Sequence, residues 1–202
     1  MGIWGRWATA LVIGVWASAS HAADRLSLAD ISAYLNSITT LKSEFTQVND
    51  DGSISTGTLY IRRPGRMRFE YNPPEQALVI AAANAVVIID KKSNQPAETY
   101  PLNRTPLSLI LGRNIDLTRA NMVRDARFDG RSTTVTARDP ERPETGFIEL
   151  SFTDNPTELR QWTIHDANGG QTTVILGAFE AGLNLPESLF DPGKELNRRS
   201  DR

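Results

Sequence analysis

Residues that could carry out catalysis are few in this 202-residue chain, and their spacing matches no common catalytic site. Beyond position 22 the single histidine is His165, at the end of a predicted strand and beside a turn, where a surface residue is typical. Asp50 and Asp51 lie in a predicted turn, and Glu141 and Glu144 flank prolines in a predicted loop, which favours solvated carboxylates. No H-E-x-x-H, G-x-S-x-G or Walker motif and no metal-spaced cluster occurs in the sequence. We therefore predict no enzymatic activity, no metal site and no cofactor.

Arginines are the most concentrated charges in the sequence. Arg62, Arg63, Arg66 and Arg68 lie within seven residues of the segment GTLYIRRPGRMRFEY, although the whole chain carries a net charge of −2. Each guanidinium offers a planar fork of donors that suits carboxylates or carbonyl oxygens. Most of the cluster is expected to be solvated. It could be simply the solvent-exposed face of a sheet, or it could contact acidic groups of a partner. The charge balance does not favour nucleic acid as a partner.

The same segment has the alternation of a β-hairpin. Leu59 and Ile61 share one face with Met67 and Phe69, and most of the arginines fill the other face. A Pro-Gly pair at 64–65 predicts the turn, because proline presets the first corner and glycine accepts the positive φ that follows. The hairpin is expected to belong to an antiparallel sheet with one solvent-exposed face.

About eleven segments have the composition of strands. They are 41–48, the two arms of the hairpin, 77–82, 85–90, 97–100, 123–128, 133–138, 146–153, 158–165 and 171–179. The runs 77–82 and 85–90 are almost continuously apolar, which is typical of strands covered on both faces. Later strands instead alternate, with Ile148 and Leu150 in one and Trp162 and Ile164 in another.

Two helices are predicted at positions where they can cover this sheet. The first follows Ser27, whose hydroxyl can cap it, and repeats apolar residues at helical spacing over 28–38. The second is predicted to have Thr105 as its N-cap and Pro106 as its first residue, and to end near Gly112. Its apolar residues include Leu107, Leu109 and Ile110. A helix so short is unstable alone, so it must lie on an apolar surface.

Together these elements predict a mainly β fold. It is a curved antiparallel sheet of about eleven strands that forms an incomplete barrel, with two or three helices filling its apolar concave face. From the residues alone, that face could enclose a cavity or form an ordinary packed core. The candidate lining residues are Leu59, Ile61, Met67, Phe69, Leu78, Ile80, Ile148, Leu150, Trp162 and Ile164.

The N-terminus has the pattern of a secretory signal peptide. Arg6 precedes an apolar run over 7–19, and small residues at Ser20 and Ala22 predict cleavage before Ala23, although an uncleaved anchor is the alternative. One domain over 23–196 and a polar, disordered tail over 197–202 are expected to follow. The chain has no cysteine, which excludes disulfides and a lipid-modified N-terminal cysteine. An exported, unanchored protein of a bacterial periplasm fits this composition.

Four motifs, in this order, carry a resemblance to a known family. They are SEFTQVNDDGS at 43–53, RRPGRMRFEY at 62–71, RTPLSLILGR at 104–113 and LRQWTIHDANGGQTTVIL at 159–176. The second is similar to the RPG-x-FRW-E-Y stretch of the periplasmic outer-membrane lipoprotein carrier family, LolA. The match extends over roughly residues 41–192, and the joint order of the motifs is more specific than any one of them.

The resemblance implies a half-open barrel whose two or three helices act as a lid over an apolar cavity, and it implies a function as well. The chain would be a periplasmic chaperone that takes lipid-modified outer-membrane lipoproteins from an inner-membrane ABC-type release complex and delivers them to an outer-membrane receptor lipoprotein. It would act as a monomer, without nucleotide. In the family, the arginine before the turn proline holds the lid shut, and the matching residue is Arg63; without the resemblance, Arg63 is a solvated charge at a strand end. Incoming acyl chains would displace Leu107, Leu109 and Ile110.

The sequence also departs from the family pattern. Met67 and Phe69 stand where the family has an aromatic residue and a tryptophan, and Ala83-Asn84 replaces the usual Asp-Gly turn. Cargo preference is therefore open. Alternatives are a module of the same fold that binds or senses another lipid or amphiphile, and a carrier of free lipid or glycolipid. The missing cysteine argues against the anchored receptor.

Overall fold

The computed structural model describes residues 25–92 and 95–200, so the predicted signal peptide lies outside the described residues. The described part contains three α-helices, α1 (Leu28–Ser37), α2 (Ser108–Leu111) and α3 (Pro192–Ser200). Its strands are β1 (Thr40–Val48), β2 (Ile54–Arg62), β3 (Arg66–Tyr71), β4 (Ala77–Ala82), β5 (Ala85–Asp90), β6 (Glu98–Pro101), β7 (Val123–Phe128), β8 (Ser132–Ala137), β9 (Phe147–Thr153), β10 (Glu158–His165) and β11 (Gln171–Ala181). Short 3₁₀ turns occur at Leu102–Arg104, Pro143–Thr145 and Glu187–Phe190.

All eleven strands form one antiparallel sheet, in the order β6-β5-β4-β3-β2-β1-β11-β10-β9-β8-β7. The first six strands and the last five are each connected as a meander, and the pairing of β1 with β11 joins the two halves. Strands β6 and β7 remain as the two edges, so the sheet does not close into a barrel. The predicted fold class is confirmed.

The sheet curls strongly toward one face. Phe69 of β3 and Trp162 of β10 are four strand positions apart, which in a flat sheet corresponds to about 19 Å. Their ring centroids are nevertheless only 6.3 Å apart. The two halves of the sheet are therefore opposing walls of a trough, and we call the inside of this trough the concave face and the other side the outer face.

The main hydrophobic core lies on the concave face, under a lid that consists of α1, α2 and residues 112–122. Ile31 and Leu35 of α1, Ile110 and Leu111 of α2, and Ile115 beyond it are all buried in this core. Helix α1 begins as predicted, since Ser27 Oγ accepts a hydrogen bond from the Asp30 amide at 3.1 Å. None of the helices in the described part of the chain combines the length and apolar character that a membrane crossing requires.

The start of α2 differs from the prediction. Thr105 does not cap this helix, because its hydroxyl donates back to the Leu102 carbonyl at 2.8 Å and closes the preceding 3₁₀ turn. The backbone then turns once, and α2 begins at Ser108. This apolar four-residue helix still lies on the apolar surface that its composition requires.

A smaller apolar cluster lies on the outer face, under the C-terminal segment. The buried residues of this cluster are Leu78, Ile80, Val87 and Ile89 of β4 and β5. Leu196 of α3 packs against them. The predicted disordered tail is therefore wrong for residues 197–200, which belong to α3. The helix forms because its first half docks on an apolar patch of the sheet that local sequence does not reveal.

The lidded concave face as a candidate binding site

The sheet brings most of the predicted lining residues together on the concave face. Leu59, Ile61, Met67, Phe69, Ile148, Leu150 and Trp162 are buried members of the main core, and Ile164 is partly buried against it. From the lid, Ile110 is buried in the same core, while Leu107 and Leu109 are partly buried against it. In this closed arrangement lid side chains cover the trough. Movement of the lid would expose a continuous apolar surface.

Two predicted lining residues, Leu78 and Ile80, are not on this face. Strand β4 pairs with β3 so that Val79 lies opposite Phe69, whereas Ile80 lies opposite Arg68. Leu78 and Ile80 therefore belong to the outer-face cluster, and the assignment of these two residues was wrong. In a continuously apolar strand, alternation cannot tell which set of side chains faces inward.

Aromatic rings form a cluster in the trough that the candidate list covered only in part. Phe45 contacts Phe69 edge-to-face at 5.0 Å and Tyr71 at 5.2 Å. Phe69 in turn contacts Trp162 on the other wall. Phe45 and Tyr71 were missed as lining residues, although their alternation with Leu41 and with Phe69 respectively was a sufficient signal. Such edge-to-face pairs stabilise the closed trough beyond the area that they bury.

Arg63 connects the β2–β3 turn to the ends of both lid helices. Its Nη2 donates to the Gly112 carbonyl at 2.7 Å, directly after α2, and its Nε reaches the same oxygen at 3.2 Å. Its Nη1 donates to the carbonyls of Leu35 and Ile38 at the end of α1. The last carbonyls of a helix lack intrahelical partners and carry partial negative charge, so a cation is favourable there. Arg63 therefore satisfies acceptors of two helices at once.

The acceptors around Arg63 are neutral oxygens, namely carbonyls and the side-chain amide of Asn36 at 3.1 Å. Partial burial lowers the pKa of the Arg63 guanidinium from its ordinary value, because removing water disfavours the charged form. Desolvation of the charge opposes the gain from the hydrogen bonds. The Arg63 charge is thus surrounded by neutral hydrogen-bond acceptors at the ends of both lid helices.

Two polar side chains of α1 add contacts within the lid. The amide of Asn36 donates to the Ile115 carbonyl at 2.7 Å and accepts from the Ile115 amide at 2.9 Å. Ser32 Oγ accepts from the Leu117 amide at 2.9 Å. Sequence reasoning missed both residues, since polar positions of an amphipathic helix normally face solvent. Nothing in the local sequence distinguishes them from such positions.

The turn itself also contacts the lid. The Gly65 amide donates to the Leu111 carbonyl at 2.9 Å, and Gly65 has the positive φ of 70° that the Pro-Gly turn predicts. The Arg63 amide donates to the Thr39 carbonyl at 2.7 Å, between α1 and β1. The backbone of the hairpin thus holds the Arg63 side chain in place between the two helices.

The other arginines of the cluster bind the C-terminal segment on the outer face. Arg68 is only 5% exposed and pairs with Glu70 at 2.6 Å and with Glu195 of α3 at 3.1 Å. Arg62 and Arg66 both reach Glu187, at 3.4 and 3.3 Å. The expectation of a mostly solvated face was therefore wrong for Arg68. Its partner Glu195 and the Leu189 carbonyl that it also contacts lie more than a hundred residues away in the sequence, beyond any local pattern.

His165 lies on the outer face, away from the trough. Its ring stacks on Phe147 with a centroid distance of 4.1 Å, and its Nε2 is 3.7 Å from a carboxylate oxygen of Glu149. The ring is thus a packing partner at the end of β10 with a side chain that is 25% exposed, whereas its position beside a turn predicted a surface residue.

Comparisons with known proteins agree with these observations. The model of one protein family, described as outer membrane lipoprotein carrier protein LolA, matches residues 36–192. An outer-membrane lipoprotein carrier protein of Chromobacterium violaceum is 27% identical over 191 residues, 91% of this chain and 89% of that protein. One from Xylella fastidiosa is 28% identical over 192 residues, 86% of this chain and 88% of that protein.

A solved structure shares the fold at low sequence identity. It is a putative outer membrane lipoprotein-sorting protein domain from Vibrio parahaemolyticus, with a TM-score of 0.50 and 7% identity. The alignment covers 83% of this chain and 96% of that one.

Proposed function

The chain belongs to the outer membrane lipoprotein carrier protein LolA family, and we propose from this premise that it carries lipid-modified proteins through the bacterial periplasm. The family is one of periplasmic, non-enzymatic carriers, and the curated relatives that it resembles over most of their length are named for lipoprotein carriage. The observation that supports the proposal best is the apolar trough beneath a lid whose helix ends are hydrogen-bonded to the Arg63 guanidinium.

The acyl chains of the cargo would occupy the concave face. The lining of that face is apolar on both walls, so a hydrocarbon chain would be held by buried area, at about 0.8 kcal/mol per buried CH₂ group. Leu107, Leu109 and Ile110 cover the same surface in the closed state and would be displaced by the ligand. Met67 adds an unbranched, adaptable side chain to the lining.

The lid and the acyl chains of the cargo would compete for the same concave face, and this competition would set the affinity for cargo. Closing the lid restores the hydrogen bonds of Arg63 to Gly112 and to the end of α1, and this gain opposes continued binding of the acyl chains. A carrier must release as well as bind, and a ligand can be displaced only by an alternative of comparable free energy. Arg63 would therefore be the lid latch, a role that favours release.

The carrier would have two protein partners, one at the inner membrane and one at the outer membrane. An inner-membrane ABC-type release complex would load the carrier, and an outer-membrane receptor lipoprotein would unload it. The carrier would consume no nucleotide, since transfer needs only that the receptor binds the acyl chains more tightly. We assign no catalytic role to His165 and no site to a metal or cofactor.

A release assay tests the proposal. Purified protein lacking residues 1–22 is added to spheroplasts of the bacterium that encodes it, and lipoproteins in the supernatant are measured, followed by their transfer to outer membranes. The wild type should release lipoproteins as a soluble complex and pass them on. Arg63→Leu should release them but transfer them at least about tenfold more slowly, because a latch worth about 1.4 kcal/mol accounts for that factor. Arg124→Leu, at an exposed position of β7, is the matched control and should behave as the wild type.

The other outcomes are equally informative. If no lipoprotein is released but native mass spectrometry finds free lipid on the protein, the chain carries another amphiphile and the lipoprotein proposal fails. If Arg63→Leu and Arg124→Leu transfer cargo equally well, the latch role of Arg63 fails while the carrier function stands.

A further inference from the structure

Trp162 has a buried polar atom that lacks a partner inside the protein. The side chain is 0% exposed and lies in the main core, yet its indole Nε1 has no hydrogen-bond acceptor among the described residues. Its cross-strand neighbours on the concave face are Leu150 and Val174, which are apolar and buried. Buried donors are almost always paired in folded proteins, so an unpaired one indicates strain or a function.

Other polar groups around the trough have partners. The Tyr34 hydroxyl accepts from the Leu159 amide at 3.0 Å, and the Tyr71 hydroxyl donates to Gln47 at 2.7 Å. Ser32 both donates to the Leu28 carbonyl and accepts from Leu117. Three further buried atoms without partners in the described part of the chain belong to Arg138, Arg142 and His165, none of which is a member of the main core. Trp162 is thus the unpaired donor of the trough within that part of the chain.

The indole ring that carries this donor packs against a ring of the opposite wall, 6.3 Å away between centroids. Trp162 on β10 meets Phe69 on β3 at an interplanar angle of 75°, so its indole reaches across the trough rather than into the sheet beneath it. A hydrocarbon tail offers no acceptor to such a donor. The ester or amide carbonyl at the head of an acyl chain does, and in an apolar trough the resulting hydrogen bond would meet little competition from water.

We propose that Trp162 Nε1 donates a hydrogen bond to the carbonyl oxygen of a bound acyl group and thereby selects acyl chains over simple hydrocarbon chains. The inference rests on the proposed function, since it names a recognition element within the same trough. The hydrogen bond would fix how deeply the acyl chain enters the trough. Hydrophobic burial alone does not fix this depth, because an acyl chain that slides by one CH₂ group buries nearly the same apolar area. One hydrogen bond of this kind corresponds to roughly a two- to twelvefold preference.

The sequence makes this site easy to observe. Beyond position 22, Trp162 is the only tryptophan of the chain, so the protein from Ala23 onward gives a single indole N–H signal in ¹H–¹⁵N NMR spectra. The probes are 1,2-dipalmitoylglycerol, which has two ester carbonyls, and 1,2-dihexadecylglycerol, its ether analogue. The wild type should bind the ester about tenfold more tightly, and only the ester should shift the indole proton strongly downfield.

Trp162→Phe keeps an aromatic ring but removes the N–H group. This variant should bind both glycerides with equal affinity, and its unfolding midpoint in urea without ligand should not fall below that of the wild type by more than the loss of ring area predicts. Leu150→Val, a neighbouring change without a polar group, should weaken both glycerides alike and keep the preference for the ester.

Each failure has its own meaning. If the wild type binds both glycerides equally and the indole signal is the same with either, the hydrogen bond to the carbonyl is refuted and the acyl-carrier function stands. If the wild type binds neither glyceride, the proposed function fails in its acyl-binding step. If, without ligand, Trp162→Phe has an unfolding midpoint lower than the lost ring area predicts, the N–H group serves the fold itself and the inference is overturned.

Discussion

Arg68 illustrates how one residue can depend on a distant part of the chain. Its guanidinium lies between β3 and the C-terminal segment, bonded to Glu70, to Glu195 and, at 2.8 Å, to the Leu189 carbonyl. The Glu195 side chain is only 12% exposed, so both charges have lost most of their water. Such a pair adds little net stability when intact, but removing one partner leaves a buried charge without compensation.

We therefore expect Arg68→Gln to lower the free energy of unfolding by about 3 kcal/mol, measured by urea denaturation. Arg119→Gln is the control, because Arg119 forms a 2.5 Å pair with Glu141 in which both side chains are more than half exposed. Exposed pairs contribute at most about 1 kcal/mol, so the control should change stability little. Equal losses in the two variants would contradict the role assigned to burial.

At the scale of elements, the lid is held more by polar contacts at its ends than by helical stability. Helix α2 has four residues and cannot persist alone. Asn36 and Ser32 of α1 hold the chain beyond α2 through the backbone of Ile115 and Leu117. These contacts and Arg63 converge on the short connection after α2, so the lid should open as a unit.

Asn36→Ala should loosen this unit and leave the sheet intact. Removing the amide breaks both bonds to Ile115 and one to Arg63, so the amide of Ile115 should exchange with solvent at least about tenfold faster. Hydrogen exchange followed by NMR measures this, with the Leu59 amide of β2 as an internal reference that should not change. Ser37→Ala is the control, since the Ser37 hydroxyl bonds only to the Tyr34 carbonyl of the same helix. Faster exchange in the sheet as well would show that the lid and the sheet open together.

At the scale of the whole molecule, two apolar clusters share one sheet and face opposite ways. The concave cluster lies under a lid held by hydrogen bonds, whereas the outer cluster lies under a C-terminal segment held by ion pairs. The two faces of the sheet are thus covered through different kinds of contact. The Tyr71 hydroxyl lies within the concave structure, and burial raises its pKa to about 12.

The raised pKa of Tyr71 predicts a loss of stability in alkali. The folded state favours the protonated phenol, so this contribution is fully present below the ordinary pKa of 10 and is lost as pH rises toward 12. Urea denaturation between pH 8 and pH 11.5 should show a constant free energy of unfolding at first, followed by a decline of up to about 1.4 kcal/mol per pH unit for this group. Tyr71→Phe should reduce the decline; an unchanged decline would mean that other groups cause it.

The sequence by itself determined the strands, the hairpin at 57–71 and the concave face of every strand that alternates. Leu59, Met67 and Trp162 lie where alternation predicted them, because a strand with one polar face has a single favourable orientation. The family resemblance pointed to Arg63, and the structure places it against both lid helices.

Only the tertiary structure decided the features that depend on distant partners. Leu78 and Ile80 lie in a strand apolar on both faces, so their orientation was fixed by pairing with β3 and not by their own pattern. The burial of Arg68 and the helical state of residues 197–200 both require the contact between β3 and α3, more than a hundred residues apart. Local patterns encode which side chains share a face, but the free energy that selects one cover for each face comes from surfaces that meet only in the folded chain.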